Sequence, residues 1–269
     1  MIPLNTLSVI EFSGHDARQF LHNQVSADIN NINAGTAGFA CYCNPAGRVL
    51  GLLLVFPVND GVIAICASEL AVALTDLLKR FIIRADVKIK VRDDLSVMAS
   101  VQDKMTEALH FLKTDPGLNY AIVEADKDFP AGGEQSAQDW KSAELKKGIV
   151  WLDNETSATF LPQMLGFESI GALSFKKGCY PGQEIIARIR YLGTLKRRPL
   201  VLRIAGGVAL AIKEKISLNF DGDTSSAVLV DQAAGSSGDQ TLFLVARTSE
   251  DIKPESILSG EQLIEVLNE

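Results

Sequence analysis

An α+β fold is what this sequence predicts, on two observations. From residue 7 to about 125, short apolar strands are interleaved with helices carrying one apolar side. After Arg198-Pro199 the character changes to short strands at near-regular spacing, split by turn-rich stretches such as Gly235-Ser-Ser-Gly238. That pattern predicts a small all-β barrel or sandwich at the C-terminal end.

Taken in order, Leu7–Phe12 is a short strand closed by Ser13-Gly14. A helix then starts at His15 or Asp16, with Ala17, Phe20, Leu21 and Val25 on one side. Phe39–Phe56 gives two strands around an Asn44-Pro45-Ala46-Gly47 turn, after which Arg48 enters an apolar strand as a lone charge. Cys41 and Cys43 point to one face there; with no partner pair, a packed core is expected rather than a soft-metal site. Val62–Cys66 is a strand, and Ser68 is placed to cap a helix carrying Leu70, Ala71, Leu74, Leu77 and Leu78. Val87–Val91 alternates as a half-buried strand, followed by a strand at Leu95–Val101, a helix at Thr106–Lys113 and a strand at Tyr120–Ala125. A split β-α-β arrangement fits this run. A polar connection, 126–135, leads to a helix from Ala137 to Lys147, stopped by Gly148, with Trp140 near its start. Ile149–Leu152 reads as a strand, and the segment to Ala172 is irregular, which is where site residues are expected.

At 269 residues the chain holds one large domain or two to three small lobes. Apolar content of 47% with 22% charged residues is that of an ordinary soluble globular protein. No apolar run approaches membrane length; Val49–Val58 is too short. The N-terminal stretch lacks a basic region followed by an apolar core, so it does not read as a secretion signal. Four cysteines without such a signal fit a reducing, cytoplasmic setting. His15 and His22 have no carboxylate or cysteine at ligand spacing, and a stable metal site is not expected.

The densest stretch is Leu173–Gly193, LSFKKGCYPGQEIIARIRYLG, read as an approach strand, a turn and a helix. Pro181 suits the first helical position, Glu184 the first turn, and Gly193 the stop. Cys179 falls just before this helix and after Lys176 and Lys177, a setting that favours thiolate. From spacing alone it is either a functional thiol or a small buried hydrophobe. Between Lys176 and Arg198 lie seven basic residues and one acidic one, on a chain of net charge −7. Such an island is either a site for an anionic ligand or a solvated charged face. The overall acidity argues against a general nucleic-acid-binding surface.

The run Lys177-Gly178-Cys179-Tyr180-Pro181-Gly182-Gln183-Glu184, with Ala187-Arg188 and Gly193, resembles the K-G-C-Y-x-G-Q-E signature of the YgfZ family. These are folate-binding proteins related to the T-protein, the aminomethyltransferase of the glycine cleavage system. Gly14-His15-Asp16-Ala17, Phe20-Leu21, Gln24 and Asp28 are similar to the family's first helix. Asn44–Arg48 resembles its hairpin turn and Phe160-Leu161-Pro162-Gln163 its run-in to the motif. The resemblance implies an aminomethyltransferase-like ring of three lobes with a C-terminal β-barrel. Its parts would be 1–48 with 137–195 as the folate-binding lobe, 49–136 as a ferredoxin-like α+β lobe, and 196–269 as the barrel.

The same resemblance implies a tetrahydrofolate cofactor or a derivative, and a role in assembling or repairing iron–sulfur enzymes, including radical enzymes that thiomethylate tRNA. Cys179 would be the functional thiolate, in transient contact with a cluster, with Lys177 and Arg188 beside it. Trp140, Tyr180, Gln183, Glu184, Gln163 and Arg48 would contact the folate, whose anionic glutamate tail suits the basic island. A second folate-contacting tryptophan of the family is Leu7 here. Partners would be folate and iron–sulfur client enzymes, without a membrane and without direct nucleic-acid binding. A folate-dependent aminomethyl or other one-carbon transferase, or a demethylase, is the alternative. It lacks the expected carboxylate after Gly47, since the corresponding positions read Gly51-Leu52. A direct RNA-binding module using the Lys176–Arg198 island is a third reading.

Overall fold

In chain order the elements are β1 (Ile2–Pro3), β2 (Leu7–Ser13), α1 (Ala17–Gln24), β3 (Gly38–Cys43), β4 (Val49–Val58), β5 (Gly61–Ala67), α2 (Ser68–Lys79), β6 (Lys88–Val91), β7 (Leu95–Ser100), β8 (His110–Leu112) and β9 (Asn119–Glu124). There follow α3 (Glu134–Lys146), α4 (Gln183–Leu192), β10 (Arg198–Ala205), β11 (Lys215–Phe220), β12 (Asp223–Ala234), β13 (Asp239–Ala246), β14 (Ser256–Ile257) and β15 (Leu263–Val266). This computed structural model describes residues 1–33, 35–100, 108–114, 117–127, 134–205, 210–220, 223–235, 238–247, 256–257 and 263–266.

The strands form three antiparallel sheets, ordered β3-β4-β5-β2-β6, β1-β7-β9-β8 and β14-β11-β12-β13-β10-β15. Strands of 49–136 are shared between the first two sheets, and the β3–β4 hairpin spans position 48. The mixed α+β class is as predicted. The C-terminal lobe is a six-stranded antiparallel sheet, and among the described residues no pairing joins β14 to β15 to close the predicted barrel. Both faces of that sheet are nonetheless covered. Phe243 and Val245 join the main core, while Leu242 and Leu244 join a second core with Leu202, Leu218 and Leu229. Strands buried on both sides read as continuous apolar runs, and Thr241–Ala246 is one.

Helix α2 buries Leu70, Ala71, Leu74 and Leu78 against the five-stranded sheet. Its approach depends on a missing side chain: a Cβ at Gly51 in β4 would lie 2.8 Å from Leu74 Cδ1. Ser68 is the first helical residue rather than a cap; its hydroxyl accepts from Ser8 Oγ at 2.9 Å.

Four local expectations are corrected. His110–Leu112 is a strand paired with β9, where a helix over Thr106–Lys113 was predicted; 101–107 lie outside the described residues. Ile149, Val150 and Leu152 are buried and Trp151 partly so, but among the described residues this segment pairs with no strand, and the approach to the motif at 173–177 is irregular. Apolar content reports burial, and burial here needs no ladder. Helix α4 begins at Gln183 behind Gly182, so Pro181 belongs to the turn before it.

Candidate functional site

The motif loop is laid across the end of α1. That helix stops at Val25, leaving carbonyls without intrahelical partners and a partial negative charge. The Lys177 ammonium donates to two of them, His22 O and Val25 O, the latter at 2.5 Å. Lys177 is only 8% exposed. Burial pushes its pKa down to about 8, against the pull of the Asp28 carboxylate. Its charge also sits 5.1 Å from the centre of the Tyr180 ring. Two further bonds fasten the loop: Ser174 N donates to Ser26 O at 2.9 Å, and Ser26 Oγ donates to Ala172 O at 2.6 Å. The same Ser26 hydroxyl accepts from Cys41 N at 2.9 Å, tying α1, β3 and the motif at one atom.

After Cys179 the chain turns into α4 through Gly182, whose φ of 81° lies in the left-handed region. A Cβ there would stand 2.5 Å from Asn44 O and 2.7 Å from Gly47 Cα. A Cβ at Gly47 would in turn lie 3.2 Å from Ile185 Cβ and 3.3 Å from Leu161 Cδ2. Gln163 Nε2 donates to Ile186 O at 2.7 Å, and Arg48 Nη1 donates to Thr159 O at 2.8 Å. The hairpin turn, the Phe160–Gln163 run and the start of α4 therefore meet, although far apart in sequence. Replacing Gly182 by alanine is expected to cost about 2–4 kcal/mol, because strained dihedrals and a backbone collision add. Urea denaturation reads this as a lower midpoint at unchanged slope.

Cys179 is exposed, whereas Cys41, Cys43 and Cys66 are buried. Burial pushes the Cys41 and Cys66 thiols up to about 12, and Cys43 well above the usual thiol range. Those three thiols are inert at neutral pH. Tyr180 is buried beside Cys41 and Cys43, and burial pushes its phenol up as well. Gln183 is half-buried, its N–H donating to Tyr180 O at 3.2 Å. Glu184 and Arg188 lie on the outer side of α4 and pair with each other at 2.8 Å. Of the residues singled out in sequence, the fold thus gathers Arg48, Gln163, Lys177, Cys179, Tyr180, Gln183, Glu184 and Arg188 around one turn.

Trp140 belongs to a different cluster. It is 6% exposed and meets Tyr120 edge-on at 5.7 Å; Trp151 meets the same tyrosine edge-on at 6.3 Å. In their midst is Glu144, which sequence reading did not single out. Its Oε1 accepts from Tyr120 OH at 2.7 Å and from Trp151 Nε1 at 3.0 Å. Burial pushes this carboxyl up to about 7, against the hydrogen bonds that favour its charge. The available sequence signal was spacing: Glu144 follows Trp140 by one helical turn on α3 and shares its face. Nearby on the same helix, Lys141 pairs with Asp231 of β12 at 2.6 Å. Among the described residues, no group of three or more His, Cys, Asp or Glu is placed to hold a metal ion.

Chemically, the motif offers one solvent-facing thiol on a loop anchored at both ends. The α3 cluster is a largely buried aromatic group closed around a carboxylate that accepts from two of its members. No family model matches the chain. A YgfZ tRNA-modifying protein of Klebsiella pneumoniae is 26% identical over 287 residues, covering 96% of this chain and 87% of its own. One from an Enterobacter species is 29% identical over 227 residues, covering 73% and 69%. An uncharacterized protein of Haemophilus influenzae is 24% identical over 98% of this chain and 95% of its own. Among solved structures, the glycine cleavage system aminomethyltransferase T of Bartonella henselae superposes with a TM-score of 0.65 at 13% identity, covering 91% of this chain and 77% of its own. The resemblance carried by the motif is borne out: the chain is a relative of the YgfZ proteins and shares the aminomethyltransferase fold.

Proposed function

We propose that this chain is a folate-binding accessory protein for the assembly or repair of iron–sulfur enzymes, including radical enzymes that thiomethylate tRNA. Cys179 is its working thiolate. The observation that carries this reading is the contrast among the cysteines: three are buried, and the fourth is presented to solvent on an anchored turn. A cluster typically takes four thiolates. Cys179 therefore acts in passing, against the edge of a cluster held by a client or by thiol exchange. The tRNA-modifying relatives support the client class.

For tetrahydrofolate or a derivative, the α3 cluster has suitable residue types, but Trp140, Tyr120 and Glu144 are only 6%, 0% and 4% exposed, so a pterin reaches them only where the cluster opens. A pterin presents a flat ring and an edge of N–H donors; Trp140, Trp151 and Tyr120 supply apolar and aromatic surface, and Glu144 an oriented acceptor. When bound, the folate supplies one-carbon chemistry; the residues of this chain bind and orient it. Arg48 and the basic residues of the motif suit its anionic tail. Aminomethyl transfer is not supported. β4 carries no carboxylate, Gly51 is closed over by Leu74, and Leu52 is 1% exposed.

The test is complementation. In cells lacking this protein, the wild-type chain is expected to restore thiomethylated tRNA, measured by mass spectrometry of nucleosides. Failure of the wild type to do so rejects the reading. Titration with 5-formyltetrahydrofolate, followed by tryptophan fluorescence, is expected to give a saturating change that Glu144→Gln weakens about tenfold, the loss of one charge-assisted hydrogen bond.

A further inference from the structure

Helix α4 ends in a feature that the motif chemistry does not use. Leu192 is 86% exposed and its neighbour Tyr191 67%. They are not loose. Tyr191 stands edge-on to Phe175 at 6.1 Å, the Arg190 guanidinium covers Phe175 at 5.5 Å, and Arg190 pairs with Glu168 at 2.9 Å. Lys176 is next to Phe175 in the chain, and Lys196 and Arg197 follow Leu192 within five residues; all three are exposed. The chain as a whole carries a net charge of −7, so this is a local reversal of sign.

We propose that the C-terminal end of α4 is a docking surface for a protein partner that presents an apolar pocket rimmed by carboxylates. Two adjacent exposed apolar side chains, Tyr191 braced and Leu192 beside it, in a cation-rich stretch have the anatomy of an interface centre, where tyrosine and arginine carry most of the binding energy. Charge selects the occupant class. An acidic rim is drawn to this end and repelled by the remainder of an acidic chain. A nucleic acid would use the cations and Tyr191 but would leave Leu192 against phosphate and water. Helix α4 has 10 residues, about 15 Å of rise, so a partner seated at its end reaches the region of Cys179. The proposal rests on the reading of Cys179 as serving protein clients, and gives that reading its point of attachment.

The probe is a purified radical enzyme that thiomethylates tRNA, with immobilised full-length chain and biolayer interferometry. Leu192→Asp and the pair Lys196→Glu with Arg197→Glu are each expected to weaken binding at least tenfold, with melting temperature unchanged. Wild-type binding is expected to fall with added salt. Equal affinity across the surface variants, or no binding by wild type, overturns the proposal. So does a loss of binding to total tRNA, used as a second probe, with enzyme binding intact. Complementation separates this from the parent reading: a wild type that restores thiomethylation beside a Leu192→Asp chain that restores it fully overturns docking alone, whereas a wild type that fails overturns both.

Discussion

Replacing Cys179 by alanine is expected to reduce thiomethylated tRNA in complemented cells to the level of the empty vector, with no change in the fold. The side chain is exposed, and surface substitutions of this kind usually stay within about 0.5 kcal/mol. Its neighbours Lys177, Tyr180 and Gly182 hold the turn through their own contacts with α1 and the β3–β4 hairpin. Cys179→Ser separates two roles of the sulfur. A hydroxyl keeps the size and a hydrogen-bond donor but is not a thiolate at neutral pH, so serine is expected to fail as alanine does. Activity retained by the serine chain alone would make the position a hydrogen-bonding element; activity retained by both would place the chemistry elsewhere. Equal melting temperatures for the three chains are the control.

The second large effect is on stability, at Glu144. Its folded carboxyl titrates near 7, above the ordinary 4.5, because burial outweighs the hydrogen bonds from Trp151 and Tyr120. Between those two values the unfolded chain has released the proton and the folded chain still holds it. Stability therefore falls as pH rises from about 4.5 to about 7, and levels off above, by about 3 kcal/mol in total. Asp231, raised by burial in spite of Lys141, adds a slope of the same sign. Glu144→Gln keeps an acceptor for both donors and is expected to flatten most of the slope in urea unfolding between pH 5 and 7. Glu144→Leu leaves Tyr120 OH and Trp151 Nε1 buried without their shared acceptor. That change is expected to cost about 3 kcal/mol, read as a melting temperature lower by about 6–12 °C. An unchanged pH slope in Glu144→Gln would show that the proton is held elsewhere.

These two sites differ in how far sequence exposes them. Cys179 is legible because its neighbours are chemically unusual and sit together in the chain. Glu144 is not: a glutamate inside a helix is ordinary, and what distinguishes it is a tyrosine 24 residues upstream. The same limit governs the fold. Strands whose partners are adjacent, such as β4 and β5, follow from pattern and turn chemistry. Ile149–Leu152 carries the apolar content of a strand, yet its burial comes from packing under the sheets, which periodicity does not distinguish from pairing. The His110–Leu112 segment is a short apolar run that fits either helix or strand, and pairing with β9 decides it. Lys177 shows the reverse case. Its place beside Cys179 suggests a charge aimed at the thiol, while the fold turns that charge onto the end of α1.

That bond has a consequence for how the molecule is made. Lys177 and Val25 are 152 residues apart, and Ser26 and Ala172 are 146 apart. Loop closure over such lengths is slow to reward the chain entropy it consumes. During synthesis the first sheet can assemble while α1 still ends in bare carbonyls, and the motif turn has no support until the residues beyond Gly182 leave the ribosome. The thiol therefore acquires its setting late, when the nascent chain already carries a folded platform to receive it.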